Sequence, residues 1–211
     1  ALTASRQGME VQGIDLTPEL INRANENSKI MGLKAKFVEG DAEFLPYREN
    51  EFDIVLSQYG HMFAPRPSIV VKELARVLKP GGILAFSTWP KELFMGKFFK
   101  LIESFSQPLP PDVASPVLWG DMAMIEDRLK DHFDQIEFGR DAMFAPTMSP
   151  AHMLKLFEKN AGPLANLVKT LADDPIKLSN LRNAALDLIE TFFSNNFLRQ
   201  DFLMTRCIKK A

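Results

Sequence analysis

Strand-like and helix-like apolar segments alternate along residues 9–88, and this alternation constrains the fold more than any other feature of the sequence. Four compact, strand-like segments lie at 9–15, 35–39, 52–57 and 83–88. Apolar residues recur at helical spacing after Pro18 and after Pro67. Such an alternation of strand and helix predicts a parallel α/β sheet with right-handed crossovers.

Local signals predict where these two helices begin and end. Thr17 is the expected N-cap of the first, Pro18 its first residue and Glu19 a first-turn acid, and Gly32 ends it. One side of this helix is predicted to carry Leu20, Ile21, Ala24, Ile30 and Met31. The second helix presents Val70, Val71, Leu74, Val77 and Leu78, and Pro80-Gly81-Gly82 breaks it before the strand at 83–88.

The second half of the chain has a different pattern. A phenylalanine-rich helix is predicted at 93–105, and the four prolines of 107–117 predict a loop. A helix at 125–133 and a strand near 135–144 follow. Helices then extend to residue 197, with breaks at 162–163 and 174–175, before a closing strand at 201–209.

Composition excludes several classes of protein. The 211 residues suit one large domain or one domain with an insertion, and the net charge of −2 argues against a dedicated nucleic-acid binder. Cys207 is the only cysteine, so no internal disulfide can form, which agrees with a reducing compartment such as the cytoplasm. Three scattered histidines and one thiol argue against a metal site. No apolar run has membrane-spanning length.

Two acidic residues follow predicted strands, where open α/β sheets bind ligands. The Asp15 carboxylate can accept hydrogen bonds from both hydroxyls of a ribose, a device that nicotinamide-binding domains also use. Asp41 follows Gly40 and is acceptor-only when ionised. Each residue also has a purely structural interpretation. On that interpretation, Asp15 is simply an acid that the dipole of the following helix favours, and Gly40-Asp41 simply forms a turn.

Four segments, taken in order and spacing, resemble the class I S-adenosylmethionine-dependent methyltransferases. They are GIDLTPE (13–19), GDAEFLP (40–46), FDIVLSQYG (52–60) and RVLKPGG (76–82). The small-molecule branch, which includes ubiquinone and menaquinone biosynthesis methyltransferases, is the most similar. The resemblance implies a Rossmann-like sheet with helices on both faces, S-adenosylmethionine as the cofactor and S-adenosylhomocysteine as the product. RVLKPGG is expected to be a structural signature without ligand contacts.

The resemblance also implies roles for individual residues. For the cofactor, it implies that Asp15 contacts the ribose, Leu16 packs on ribose or adenine, Asp41 and the backbone of Ala42 bond the adenine, and Phe44 walls it. Gln58 is expected to hold the methionine end. Tyr59 and His61 are expected at the acceptor substrate, and His61 is a candidate general base because an ordinary histidine titrates near neutrality.

A helical insertion between the last two strands is the expected lid. The predicted division is a cofactor-binding domain of residues 1–145 and 199–211 and a lid of residues 146–198. The lid contains Phe157, Phe192, Phe193 and Phe197, and Phe144 and Trp119 lie ahead of it in the sequence. Phe157 and Trp119 are candidates for binding the acceptor. Seventeen phenylalanines against two tyrosines favour a dry pocket for an apolar small molecule. Core packing is the alternative for each of these rings.

The resemblance further implies a strand and a glycine-rich loop ahead of the GID segment, which these residues do not contain. We therefore expect an N-terminally incomplete sheet, with a gap, a rearrangement or a swapped element between the strands at 11–15 and 52–57. Three functional readings remain. The first is direct methyl transfer to a small acceptor; the second is a non-catalytic binding or assembly protein, including a homodimer through the incomplete sheet. The third, a nicotinamide-dependent oxidoreductase using Asp15, does not explain RVLKPGG.

Overall fold

The computed structural model describes all residues, 1–211, as a mixed α/β fold in which a central sheet is flanked by helices. The helices are α1 (Leu2–Arg6), α2 (Pro18–Ile30), α3 (Pro67–Val77), α4 (Phe94–Phe105), α5 (Met122–Leu129), α6 (Pro150–Asn160), α7 (Gly162–Thr170) and α8 (Pro175–Phe192). The strands are β1 (Gln12–Asp15), β2 (Lys36–Glu39), β3 (Phe52–Gln58), β4 (Leu78–Thr88), β5 (Phe133–Pro146), β6 (Phe193–Ser194) and β7 (Phe197–Lys209). The predicted order of elements is confirmed.

The strands form two separate sheets. β1 and β2 are parallel, with Gln12 opposite Lys36 and Asp15 opposite Glu39. The larger sheet has the order β3-β4-β7-β5, and the short β6 pairs antiparallel with β7. The strands at 11–15 and 52–57 are therefore not direct neighbours, because β1 pairs only with β2 and β3 only with β4. A strand and glycine loop ahead of residue 1 stay a prediction.

The chain divides into two compact units, with bounds that differ from the predicted domains. Unit 1 comprises Ala1–Phe86, Arg128–Glu137 and Arg206–Ala211, and unit 2 comprises Ser87–Asp127 and Phe138–Thr205. The helix α4, predicted to belong with the cofactor domain, lies in unit 2. The physical reason is its phenylalanine face: Phe94, Phe98 and Ile102 are buried in one core with residues of α6, α7 and α8.

Unit 1 is built around α3 and its neighbouring strands. The predicted apolar face of α3 is buried, including Val70, Val71 and Leu74, and Leu84 and Phe86 of β4 are buried as well. The face predicted for α2 is covered only in part: Ile21 is buried, whereas Leu20 and Ile30 are exposed. α2 packs mainly on β1 and β2, and two strands offer too narrow a surface to cover a whole helix face.

The segment Pro80-Gly81-Gly82 lies within β4 instead of ahead of it, because α3 ends at Val77 and β4 begins at Leu78. Gly81 has a left-handed φ of 75°, which glycine adopts without steric cost. A Cβ on Gly82 would lie 2.8 Å from the Lys79 carbonyl oxygen and 3.1 Å from that of Asp53. The two glycines thus allow β4 to bend while it stays close to β3.

Candidate functional site

The ends of β1 and β2 bring the two predicted acidic residues to the same edge of the small sheet. β1 and β2 run in the same direction, and the Gly40 N–H donates to the Asp15 carbonyl at 3.0 Å. Asp41 is the next residue, so both carboxylates follow the carboxyl ends of neighbouring parallel strands. That edge is where open α/β sheets bind ligands.

Each aspartate also folds its own loop. Oδ1 of Asp15 accepts the Thr17 N–H at 2.9 Å, and Oδ1 of Asp41 accepts the Glu43 N–H at 2.8 Å. Both are the side-chain-to-backbone turns that aspartate favours. Thr17 occupies the predicted cap position of α2, but its side chain makes no capping bond. Since the turns use one oxygen of each carboxylate, the second oxygen of each is available to a ligand donor.

Apolar side chains flank these two carboxylates. Leu16 is 64% exposed and Phe44 is 79% exposed, although both are large and apolar. Ala42 lies between Asp41 and Glu43 and is half-buried. Such side chains can pack on the two faces of a flat ring, while the nearby carboxylate oxygens accept hydrogen bonds from its edge.

A buried carboxylate that sequence reasoning missed fixes the loop after β2. Glu43 is buried and accepts the backbone N–H of Arg66 at 2.6 Å and its Nε–H at 2.8 Å. Glu43 thereby ties the loop of Asp41 to the segment just ahead of α3. No sequence signal identified it, because an acid in a polar turn is ordinary and its partner lies 23 residues away.

A second ion pair holds the following residues in place. Arg76 donates to the Glu73 carboxylate and to the carbonyl oxygens of Leu45 and Tyr47, at 3.0 and 2.7 Å. Glu73 in turn accepts the Leu45 N–H at 2.8 Å, and its bonds with Arg76 hold the pKa of its carboxyl below the usual value. The first residue of the RVLKPGG segment therefore supports the loop between β2 and β3.

The loop after β3 contains a strained backbone position. Gln58 ends β3 and is exposed, and Tyr59, which is half-buried, has a φ of 63°. A bulky residue with such a φ is an outlier, and strain of this kind persists where the surrounding structure enforces it, often at functional sites. A single 3₁₀ turn, His61–Phe63, follows.

His61 is buried in unit 1 and held by Ser57. Its Nδ1 lies 2.8 Å from Ser57 Oγ, which also accepts the His61 N–H at 3.2 Å. Its ring packs on Phe86 with centroids 4.5 Å apart. Burial, followed by the positive charge of Arg128, lowers the pKa of His61 to about 3. The imidazole is therefore neutral near pH 7 and a weak base.

The remaining two candidates lie in unit 2 and serve its core. Trp119 is 1% exposed, within the turn Pro116–Gly120. Phe157 packs on the rings of Phe94 and Phe98, with centroids 6.0 and 5.0 Å away. For these two rings the core interpretation has direct structural support. Their role in binding the acceptor stays a prediction.

Unit 1 thus presents two acidic acceptors, two exposed apolar side chains and a strained loop at strand ends. This set fits a nucleoside, whose hydroxyls and amino group are donors and whose base is flat. The structure contains no group of three or more histidine, cysteine, aspartate or glutamate side chains that could hold a metal ion. No helix of this structure combines the length and the apolar character that crossing a membrane requires.

Comparison with known proteins agrees with this geometry. A family model described as a methyltransferase domain matches residues 1–86. An uncharacterised protein of Mycobacterium tuberculosis is 31% identical over 205 residues, which cover 97% of this chain and 75% of that protein. The 2-methyl-6-phytyl-1,4-hydroquinone methyltransferase of Synechocystis is 36% identical over 88 residues, 42% of this chain and 27% of that enzyme.

Similarity to solved structures extends over almost the whole chain. The crystal structure of a putative methyltransferase from Bacillus halodurans superposes with a TM-score of 0.58 at 15% identity, covering 96% of this chain and 84% of that one. At this identity the likeness establishes the fold, which is Rossmann-like. The chain belongs to the class I S-adenosylmethionine-dependent methyltransferases. This assignment favours the methyltransferase hypothesis over the hypothesis of a nicotinamide-dependent oxidoreductase.

Proposed function

We propose that this protein transfers a methyl group from S-adenosylmethionine to a small, apolar acceptor by direct displacement. The observation that carries the proposal is the pair Asp15 and Asp41, at the carboxyl ends of two paired parallel strands within the residues that the methyltransferase family model matches. Each carboxylate has one oxygen engaged in its own loop, which fixes its orientation before any ligand arrives.

The residues of unit 1 would hold the nucleoside as follows. Asp15 would accept from the ribose hydroxyls, and Asp41 from the adenine amino group. Leu16 and Phe44 would cover the faces of the base, and burial of their exposed carbons would contribute to binding. The backbone of Ala42 would bond the ring edge, and Gln58 would hold the methionine end. The loop bonds of Glu43 and Glu73 would keep these groups in place.

The chemistry requires little acid–base assistance from the protein. S-adenosylmethionine supplies a methyl group activated by its sulfonium charge, so an acceptor atom forms its bond to carbon as the bond to sulfur breaks. The protein contributes alignment and exclusion of water. His61 has too low a pKa to take a proton near pH 7, and we assign it to holding the loop of Tyr59 through Ser57.

An apolar acceptor is supported by two observations. The chain has 17 phenylalanines and two tyrosines, an excess of rings without a polar handle. The Synechocystis relative takes, by its name, a hydroquinone with a phytyl chain.

Calorimetric titration with S-adenosylhomocysteine tests the proposal. Asp15→Asn and Asp41→Asn keep the shape of the side chain and remove its charge, and each should weaken binding at least about tenfold. Asp53→Asn is the matched control, because this aspartate on β3 pairs only with Lys79 at the surface. Equal affinity of all three variants and the wild type would contradict the proposed site.

A further inference from the structure

A cavity of about 610 Å³ lies within unit 2, in the part of the chain where the phenylalanine excess favours a dry, apolar pocket. We call it the phenylalanine cavity. It is formed where α8 leads through β6 into β7, together with Phe144 of β5. Besides Leu93 and the uncharged polar residues Thr191, Ser194 and Asn195, its lining residues are Phe144, Phe192, Phe193, Phe197, Arg199 and Asp201. The volume suits a small organic molecule.

Phe192 packs against the helical core, whereas Phe144 and Phe197 of the phenylalanine cavity are not part of it. Phe144 is 59% exposed and Phe197 is 43% exposed, whereas Phe94 and Phe98 are fully buried. Unit 2 therefore satisfies its core without Phe144 and Phe197. Large apolar side chains that stay exposed around one concavity mark a binding site for an apolar ligand.

The two charged residues of the phenylalanine cavity form one ion pair. Arg199 donates from Nε and Nη2 to a single oxygen of Asp201, Oδ1, at 3.0 and 2.6 Å. The Asp201 side chain is nearly buried, whereas more than half of the Arg199 side chain is exposed. Oδ2 of Asp201 and Nη1 of Arg199 thus remain as one acceptor and one donor.

The charges of this pair cancel, which selects a neutral ligand group. A carboxylate would lie beside the Asp201 carboxylate, and an ammonium group beside the Arg199 guanidinium, so either would meet a like charge. A hydroxyl group donates one hydrogen bond and accepts others, which matches Oδ2 and Nη1 together. Apolar rings surrounding one such donor–acceptor pair fit a phenol or an alcohol on a hydrocarbon frame.

We propose that the phenylalanine cavity binds an apolar molecule with one neutral hydroxyl group. This proposal rests on the cavity of unit 2 alone. Binding to the cavity is tested without any methyl donor, so that its outcome is independent of the proposed methyl transfer.

The test is a fluorescence titration with 2-naphthol as the probe, compared with naphthalene and 2-naphthoate. We expect saturable binding of 2-naphthol and at least about tenfold weaker binding of the two comparison molecules. Phe197→Ala should weaken 2-naphthol binding, and Asp201→Asn should abolish the preference over naphthalene. Met204→Ala is the matched control, an exposed apolar residue of the same strand that does not line the cavity.

Four outcomes would overturn the proposal. Absence of saturable 2-naphthol binding removes the site, and equal binding of naphthalene removes the hydroxyl contact. Tighter binding of 2-naphthoate would assign the cavity to anions through Arg199. Equal effects of Phe197→Ala and Met204→Ala would place the probe elsewhere on the protein. Phe197 is exposed, so its variant keeps the test valid even if Asp201→Asn fails to fold.

Discussion

At the scale of single residues, polar side chains of unit 1 perform structural and binding tasks together. Asp15 and Asp41 fold their own turns with one oxygen and keep the other for a ligand. Ser57 similarly bonds both the ring and the backbone of His61. A substitution at one of these positions therefore changes the geometry of the loop and also removes one contact.

The depressed pKa of His61 predicts a pH dependence of stability. Its pKa is about 3 when folded and near 6.5 when unfolded, so the unfolded chain binds one more proton between these values. The stability associated with a neutral His61 is therefore complete above pH 6.5 and is lost as the pH falls toward 3. The slope from this residue reaches about 1.4 kcal/mol per pH unit.

Urea denaturation of the wild type and His61→Gln from pH 7 to pH 4 measures this slope. The titrating carboxylates are common to both proteins, so the difference between the two curves isolates His61. We expect the wild type to lose stability more steeply than the variant. Parallel curves would contradict a buried neutral histidine, as would an imidazolium proton signal for His61 in the folded protein at pH 5.

At the scale of elements, two ion pairs at the surface of unit 1 have very different surroundings. Arg66 bonds the buried Glu43, whereas Arg23 and Glu26 form a pair on α2 with both side chains exposed. Arg66→Ala leaves a buried carboxylate without its guanidinium and should reduce the free energy of unfolding by about 1–3 kcal/mol. Arg23→Ala should change it by less than about 1 kcal/mol.

The same two variants separate stability from loop placement. Because Glu43 follows Asp41 in its loop, Arg66→Ala should also weaken S-adenosylhomocysteine binding under conditions where the protein remains folded. Urea denaturation and calorimetry provide the two readings. A loss of stability for Arg23→Ala as large as for Arg66→Ala would refute the assigned role of Glu43.

The glycines of β4 give a second prediction at this scale. Gly82→Ala would bring a Cβ within 2.8 Å of a backbone oxygen, whereas a Cβ on Gly139 of β5 meets nothing within 4 Å. We expect Gly82→Ala to destabilise the protein by about 1–3 kcal/mol, as overpacking does. Gly139→Ala, a glycine of another strand, should have little effect. Thermal unfolding of both variants checks this, and equal melting temperatures would argue against close approach at Gly82.

At the scale of the whole molecule, the two sheets differ in how well their strands are supported. β4 and β7 have a paired neighbour on both sides, whereas β1 and β2 have only each other and β3 pairs only with β4. Ile54 and Leu56 of β3 are exposed, so part of the apolar surface near this edge is uncovered. The family resemblance predicts a further strand here.

Hydrogen exchange should reveal this difference. A two-stranded sheet is marginal by itself, and local opening requires less free energy where fewer contacts hold a strand. We expect amides at 36–39 to exchange at least about tenfold faster than those at 83–86. Equal protection of these two segments would mean that the small sheet opens only with the whole unit. A longer chain that supplies a strand between β1 and β3 should raise protection in both.

How much the sequence predicted depended on the range over which each signal acts. The strands and the helices followed from local period, punctuation and motif, since these fix backbone preferences within a few residues. Asp15 and Asp41 were identified because strand ends are recognisable. The contact between Glu43 and Arg66 was not, because it joins residues from distant parts of the chain.

The sequence by itself determined the family, the order of the elements and the acidic residues at the strand ends. Only the tertiary structure decided that His61 is neutral near pH 7, which rings were core and where the chain divides into units. Burial is the physical reason. The same imidazole or phenyl ring behaves differently in water and in a place from which neighbouring segments exclude water. No local pattern in the sequence specifies those neighbouring segments.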